Sequence, residues 1–461
     1  MKLSSRQRIR RFSTLVGAVA WLLVATAPAI AHGGSLGAGG RQSVSVPMWL
    51  VLMTGGAAVG ASFLLASLVT DRRLIEAVDA WRRDLPGSGL LVAVPSSLVR
   101  ALGVAVLAVT VAVCFLGPQA PLANFGLLFV WVGWWAGFTM TTYLFGNSWP
   151  ALNPWRTIAA PLPSLGYHYP ERLGLWPATV ALLALIWIEV ASPIADAPAV
   201  LGIVVVAYTA VTLVGAVVFG ASDWFRRADP IARVFHYYGH VAPLARVDSG
   251  ITAGLPGSGL TSLSVDTRSE VAFIIALLWG TTFDGLVSTP AWRAVADAAD
   301  AVVPVVALYP LALAVGFGVF WFAYVGATRA SKRIARTHLT RATLARRFGP
   351  SLLAIAAGYH LAHYLGYFLS LSPALGTVAV TPLSPPIAVP LLSLPAWFET
   401  VGMLTILVGH VLAIWVAHTT AYDLFPSRLQ AIRSQFPYIA VMVFYTMTSL
   451  WILAQPEVQP P

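Results

Sequence analysis

Ten apolar segments, each about as long as the ~20 residues a membrane-crossing helix needs, fill most of this chain. They lie near 47–69, 98–117, 122–145, 173–191, 199–219, 271–288, 301–325, 350–370, 396–419 and 437–454. Nothing else in the sequence limits the fold as strongly. Hydrocarbon offers the backbone no partners, so each segment must satisfy its own N–H and C=O groups, which a helix does. The ten-residue alternation of a membrane barrel is missing. Composition agrees: 58% of residues are hydrophobic and 10% charged, against roughly 25% charged in soluble domains. The expected fold is all-α, a polytopic transmembrane helical bundle with one integral membrane domain over 32–461.

The first residues read as an export signal. Lys2, Arg6, Arg8, Arg10 and Arg11 form a positive region, Leu15 to Thr26 an apolar core, and Ala29–Ala31 an A-x-A-like cleavage site. Residues 1–31 are therefore a signal peptide or a first transmembrane helix, giving about ten spans after cleavage or eleven if the segment is retained.

A net charge of +10 would suggest nucleic acid in a soluble chain. Here 26 of the 28 Lys and Arg fall in the n-region and in 70–100, 146–172, 220–269, 326–349 and 420–436, which are alternate connections between spans. Only Arg41 and Arg293 lie on the other side. The asymmetry predicts a multi-pass plasma-membrane protein with those loops cytoplasmic and with residue 32 and the C-terminal "QPEVQPP" outside. Its implied surroundings are lipid, not nucleic acid. "RASKRIARTHLTRATLARR" (329–347) reads as an interfacial helix on anionic headgroups. The single cysteine, Cys114, excludes an intrachain disulfide and a cysteine-built metal site.

The chemistry must come from polar residues at membrane depth, which are costly and therefore functional candidates. "GYHLAHYLGY" (358–367) puts His360 and His363 on one helix face. "LVGHVLAIWVAH" (407–418) carries His410 near the depth of His360. Asp284, in "GTTFDGL", falls near the level of His363, and Glu189 and Glu399 lie near the outer ends of their spans. Imidazole and carboxylate together are a ligand set for zinc, copper or iron, although a membrane histidine can also simply hydrogen-bond across helices. His418 lies about 12 Å below His410 and cannot share its metal; it is expected at the cytoplasmic boundary. His32, exposed as an N-terminus by cleavage, would chelate copper or be merely solvated. "HYYGH" (236–240) reads as a surface feature, and His168 and His338 as loop residues. "GNSWPALNPWRT" (146–157) carries two prolines that break a helix. It is either an aromatic anchor at the interface or a structured turn closing a cavity.

Several stretches together, "HGGSLGAGGRQSVSVPMWL", "LFGNSWPALNPWRT", "ERLGLWPA", "TTFDGL", "HLAHYLGY" and "GHVLAIWVAH", resemble the fenitrothion hydrolase-like family of multi-span membrane proteins, in the same order over most of the chain. The resemblance implies hydrolysis of a lipophilic organophosphorus triester. Onto the family pattern it maps His363, His410, His418, Asp284 and His32, while His360 and the HYYGH histidines have no counterpart.

Three functions remain open. A divalent metal on His363, His410 and Asp284, with His360 as a further ligand and His32 at the outer face, would activate water for a hydrolase. Asp284 is then catalytic. The same residues would pass a metal ion or proton in a transporter. A b-type haem between His363 or His360 and His410 would make an electron carrier. The small partner is a lipophilic molecule or a metal ion.

Overall fold

The computed structural model describes residues 48–455 apart from 87, 89–94, 248–249, 300–301 and 396. The expected signal segment 1–31, His32 and residues 456–461 lie outside the described residues.

The chain is helical almost throughout, and each of the ten expected spans falls on a helix. The main helices are α1 (Met48–Leu68), α2 (Arg72–Asp79), α3 (Ser96–Leu116), α4 (Phe125–Phe145), α5 (Trp176–Ala191), α6 (Pro198–Phe219) and α7 (Pro230–Gly239). They continue with α8 (Arg268–Val287), α9 (Val305–Ile334), α10 (Ser351–Val380), α11 (Phe398–Leu424) and α12 (Arg428–Leu453). Among the described residues, eight helices are long and apolar enough to cross a membrane, or nine if the bent pair α1–α2 counts as one span. Two expected spans are weaker. With its 16 residues α5 reaches about 24 Å, short of a ~30 Å hydrocarbon layer. The chain turns by 117° between α1 and α2, where Asp71 caps α2 by accepting from the N–H groups of Arg73 and Leu74. The Arg72 guanidinium holds the bend by donating to the carbonyls of Tyr422 and Phe425.

Helix α8 lies at the centre. It is apolar on all sides and nearly all of it from Val271 to Phe283 is buried, as a helix without a polar face must be. It packs against α5, α9, α10 and α12. The outer helices α3, α6 and α9 expose large apolar side chains such as Leu102, Val211 and Phe322, which suits a lipid-facing surface. The tightest crossing joins α10 and α11. A Cβ on Gly358 would stand 2.7 Å from the Thr405 carbonyl oxygen, and one on Gly409 2.7 Å from that of Ala354. Only glycine lets the two backbones come this close.

The loops rich in basic residues gather at one end of the bundle. Besides the Arg72 bonds, Arg347 pairs with Asp423 and Arg346 donates to the Asp266 carbonyl. A small antiparallel sheet, β1 (Arg82–Asp84), β2 (Leu244–Val247) and β3 (Gly250–Gly254) in the order β1-β3-β2, ties two of these loops together.

Two loop expectations need correction. Residues 329–347 are not one interfacial helix: α9 continues to Ile334 and a separate helix covers Arg341–Phe348. "HYYGH" is not a surface feature. It ends α7, which folds back into the bundle with Phe235, Tyr237 and Tyr238 fully buried. Asp229 anchors the start of α7, accepting from Ala232 N–H at 2.7 Å and from Tyr208 O–H at 2.6 Å. Tyr208 belongs to the middle of α6, so the segment reaches well inside the helix layer. Burial lowers the His236 imidazole to about 3, so it is neutral at physiological pH. Loop charge misled here because Arg226 and Arg227 stay beside Asp223 while the next ten residues turn inward. His168 and His338 are exposed and non-helical, as expected.

Candidate functional site

Asp284 sits near the end of α8 and faces α10. Its Oδ2 lies 3.1 Å from His363 Nε2 and accepts the Tyr364 hydroxyl at 3.0 Å. Tyr364 in turn accepts the Trp135 indole N–H at 3.1 Å. A polar chain therefore runs from α4 through α10 to α8: Trp135, Tyr364, Asp284, His363. Consecutive residues His363 and Tyr364 reach the same carboxylate oxygen, which fixes it from two sides.

His360 is one turn away on α10. Its Nδ1 is 3.0 Å from the Tyr143 hydroxyl, and its ring is enclosed by Trp135, Tyr143, Tyr238 and Tyr364. Among the described residues its buried Nε2 has no side-chain hydrogen-bond partner. His410 turns elsewhere. Its Nδ1 bonds the carbonyl of Ile406 at 2.8 Å and its ring packs at 6.0 Å from that of Tyr445, whose hydroxyl meets Thr282. His418 bonds the Val69 carbonyl at 2.9 Å beside the α1–α2 bend, at the end where the basic loops gather.

Of the expected site residues, then, His363 and Asp284 are in contact, His360 is adjacent, and His410 faces a different helix. Among the described residues no group of three or more His, Cys, Asp or Glu side chains is arranged to hold a metal ion. The donors in contact, one imidazole and one carboxylate, fall short of the three protein ligands of a catalytic zinc site.

Beside this chain lies an apolar chamber of about 380 Å³ between α3, α4, α5 and α6. Trp135 belongs to both. Residues Phe129–Phe138 of α4 form a π-helix, a widening that marks functional sites in many helices; it delivers Trp131, Trp134 and Trp135 together to the chamber wall. "GNSWPALNPWRT" contributes to the same wall. It forms two short helices, Trp149–Leu152 and Pro154–Ala159, with the buried Asn153 capping the second, and both Trp149 and Trp155 line the chamber. The Leu152 carbonyl presses on α3 where Gly103 leaves room: a Cβ there would lie 2.0 Å from it. Among the described residues the chamber wall contains one carboxylic acid, Glu189, and no Lys, Arg or His. Glu189 stands on α5, which packs against α8, the helix that carries Asp284.

The partners of the histidines were not visible in the sequence. Tyr364 adjoins His363 in the quoted motif but carries no signal of its own. Trp134 and Trp135 did carry one: they stand in the middle of an apolar span, where interfacial anchoring does not explain them.

Compared with protein-family models, curated proteins and solved structures, the chain matches none.

Proposed function

We propose that this protein is a proton-coupled membrane transporter of a small lipophilic molecule, with Glu189, Asp284 and His363 as its proton-binding centre. One observation carries the reading. Two acids stand inside the helix layer on the packed helices α5 and α8, one lining an apolar chamber and the other in contact with an imidazole at 3.1 Å. Chains of Asp, Glu and His within membrane helices are characteristic of proton relays. In this reading the cargo occupies the chamber and Glu189 senses it. A proton released there passes to Asp284 and His363. Tyr364 and Trp135 hold the carboxylate in place.

The test is infrared difference spectroscopy of the purified protein between acid and alkaline pH. On acidification the wild-type spectrum should contain one protonated-carboxyl component that Glu189→Gln removes and another that Asp284→Asn removes, over the background of other carboxyls such as Asp229. Proteoliposomes carrying an internal pH dye should dissipate an imposed gradient faster than empty vesicles, and the two variants should not. A wild type that behaves like empty vesicles and whose carboxyl bands are unchanged by either substitution would sink the proposal.

A second reading follows from the His363–Asp284 contact alone. A carboxylate that orients an imidazole also serves a general base or a metal-ligating histidine, as the hydrolase resemblance implies. A neutral organophosphorus triester is apolar enough for the chamber. Elemental analysis for zinc or copper, with release of the phenol from fenitrothion by wild type and His363→Ala, decides it. No metal and no phenol would set it aside. The optical spectrum of the same sample tests a b-type haem.

A further inference from the structure

The chamber has a chemistry of its own. Eight aromatic side chains from α3 to α6 and their connections face it, among them Trp131, Trp134, Trp135 and Trp155. The remaining wall is nearly all aliphatic. Among the described residues Glu189 is its only carboxylic acid, and no Lys, Arg or His lines it. Among the described residues no hydrogen bond or ion pair engages Glu189. Aromatic faces carry negative electrostatic potential, so a ring of them beside one carboxylate is complementary to positive charge. An anion such as a phosphate ester would meet that potential without a counter-charge. The apolar wall excludes a hydrated inorganic ion, whose water shell it cannot replace. The volume lies in the range of small-molecule sites.

We propose that the chamber binds a lipophilic organic cation, an aromatic or aliphatic ammonium or pyridinium, with its charge on Glu189 and its apolar body against the tryptophans of α4. The assignment deepens the transporter reading: a proton and an organic cation would compete for Glu189, and occupancy by one would expel the other. It rests on that reading only for the transport consequence, because binding is measurable without any pH gradient.

The test uses the full-length protein in detergent or nanodiscs, first at alkaline and then at acid pH, with three probes of similar shape: 1-methyl-4-phenylpyridinium, neutral 4-methylbiphenyl and anionic 4-phenylbenzoate. Binding is read by calorimetry and by tryptophan fluorescence. The cation should bind tightest, and Glu189→Gln should weaken it by about tenfold or more while leaving 4-methylbiphenyl affinity unchanged. That retained affinity also shows that the variant is folded. Trp134→Leu should weaken both ligands. Acidification should weaken the cation alone. Equal affinity for cation and neutral probe, or a cation affinity untouched by Glu189→Gln, would overturn the assignment. Either result leaves the infrared test of the proton centre standing, whereas carboxyl bands unchanged by Glu189→Gln and Asp284→Asn, with intact cation binding, would remove the proton reading and keep this one.

Discussion

The crossing of α10 and α11 offers a stringent test of the packing that positions the site. Gly358→Ala places a methyl 2.7 Å from the Thr405 carbonyl oxygen and 2.9 Å from Gly409 Cα. Both are backbone atoms and neither can rotate away, so the helices must part by several tenths of an ångström. Overpacking of this kind costs about 1–3 kcal/mol. Against it stands the gain from replacing a mid-helix glycine by alanine, about 0.5–1 kcal/mol. Gly376 supplies the control. It lies on the same helix, and a Cβ there meets nothing within 4 Å. The propensity gain is common to both variants, so the difference between them isolates the steric term. We expect Gly376→Ala to unfold at or above the wild-type temperature and Gly358→Ala to lie below Gly376→Ala by the overpacking cost. Gly409→Ala should behave like Gly358→Ala, and the double variant should lose less than the sum, because the first methyl already separates the helices. The assay is thermal unfolding in one detergent, followed by tryptophan fluorescence. A Gly358→Ala variant as stable as Gly376→Ala would refute the close crossing.

Three further outcomes can be checked. Burial pushes the Asp229 carboxyl up to about 6 from its ordinary 3.8, although its hydrogen bonds to Tyr208 and Ala232 pull the other way. The folded value exceeds the unfolded one, so its stabilisation is fully present below about pH 4 and is lost as pH rises through 6. Asp229→Asn keeps the cap and drops that dependence, so the stability difference between variant and wild type should change by up to ~3 kcal/mol over the interval; parallel unfolding profiles would contradict it. Tyr364→Phe removes the hydroxyl shared by Trp135 and Asp284. It should shift the infrared carboxyl band of Asp284 and leave that of Glu189 in place, and an unshifted spectrum would argue against the chain. Asn153→Ala deletes the cap of the turn that lines the chamber, at a cost of about 1 kcal/mol, and should weaken 4-methylbiphenyl binding in the same calorimetric assay; unchanged affinity would mean that the turn does not shape the chamber.

Position along the membrane was legible in the sequence because it follows from counting. Hydropathy located the helices, the basic residues identified the loops that meet at one end, and rise per residue set Asp284 level with His363, whose side chains touch. The same count set His360 level with His410, yet these two do not meet. The cause is rotation about the helix axis, which depth leaves free. At their crossing, α10 and α11 press Gly358 against Gly409. Each residue advances about 100° around a helix. His410 therefore points about 100° away from α10 and finds Tyr445 on α12. His360, two residues past Gly358, points about 200° away from α11 and finds Tyr143 on α4. Had the glycine pair been read as the contact, both directions would have followed from the sequence. The chamber is harder to foresee, since it depends on a π-helical stretch in α4 and on a loop segment, α7, that folds inward against its own charge signal. Neither leaves a mark on a hydropathy profile. The tryptophans at mid-span are the trace such a chamber does leave. An indole N–H at that depth calls for a partner, and for Trp135 that partner is the tyrosine that bonds the site's carboxylate.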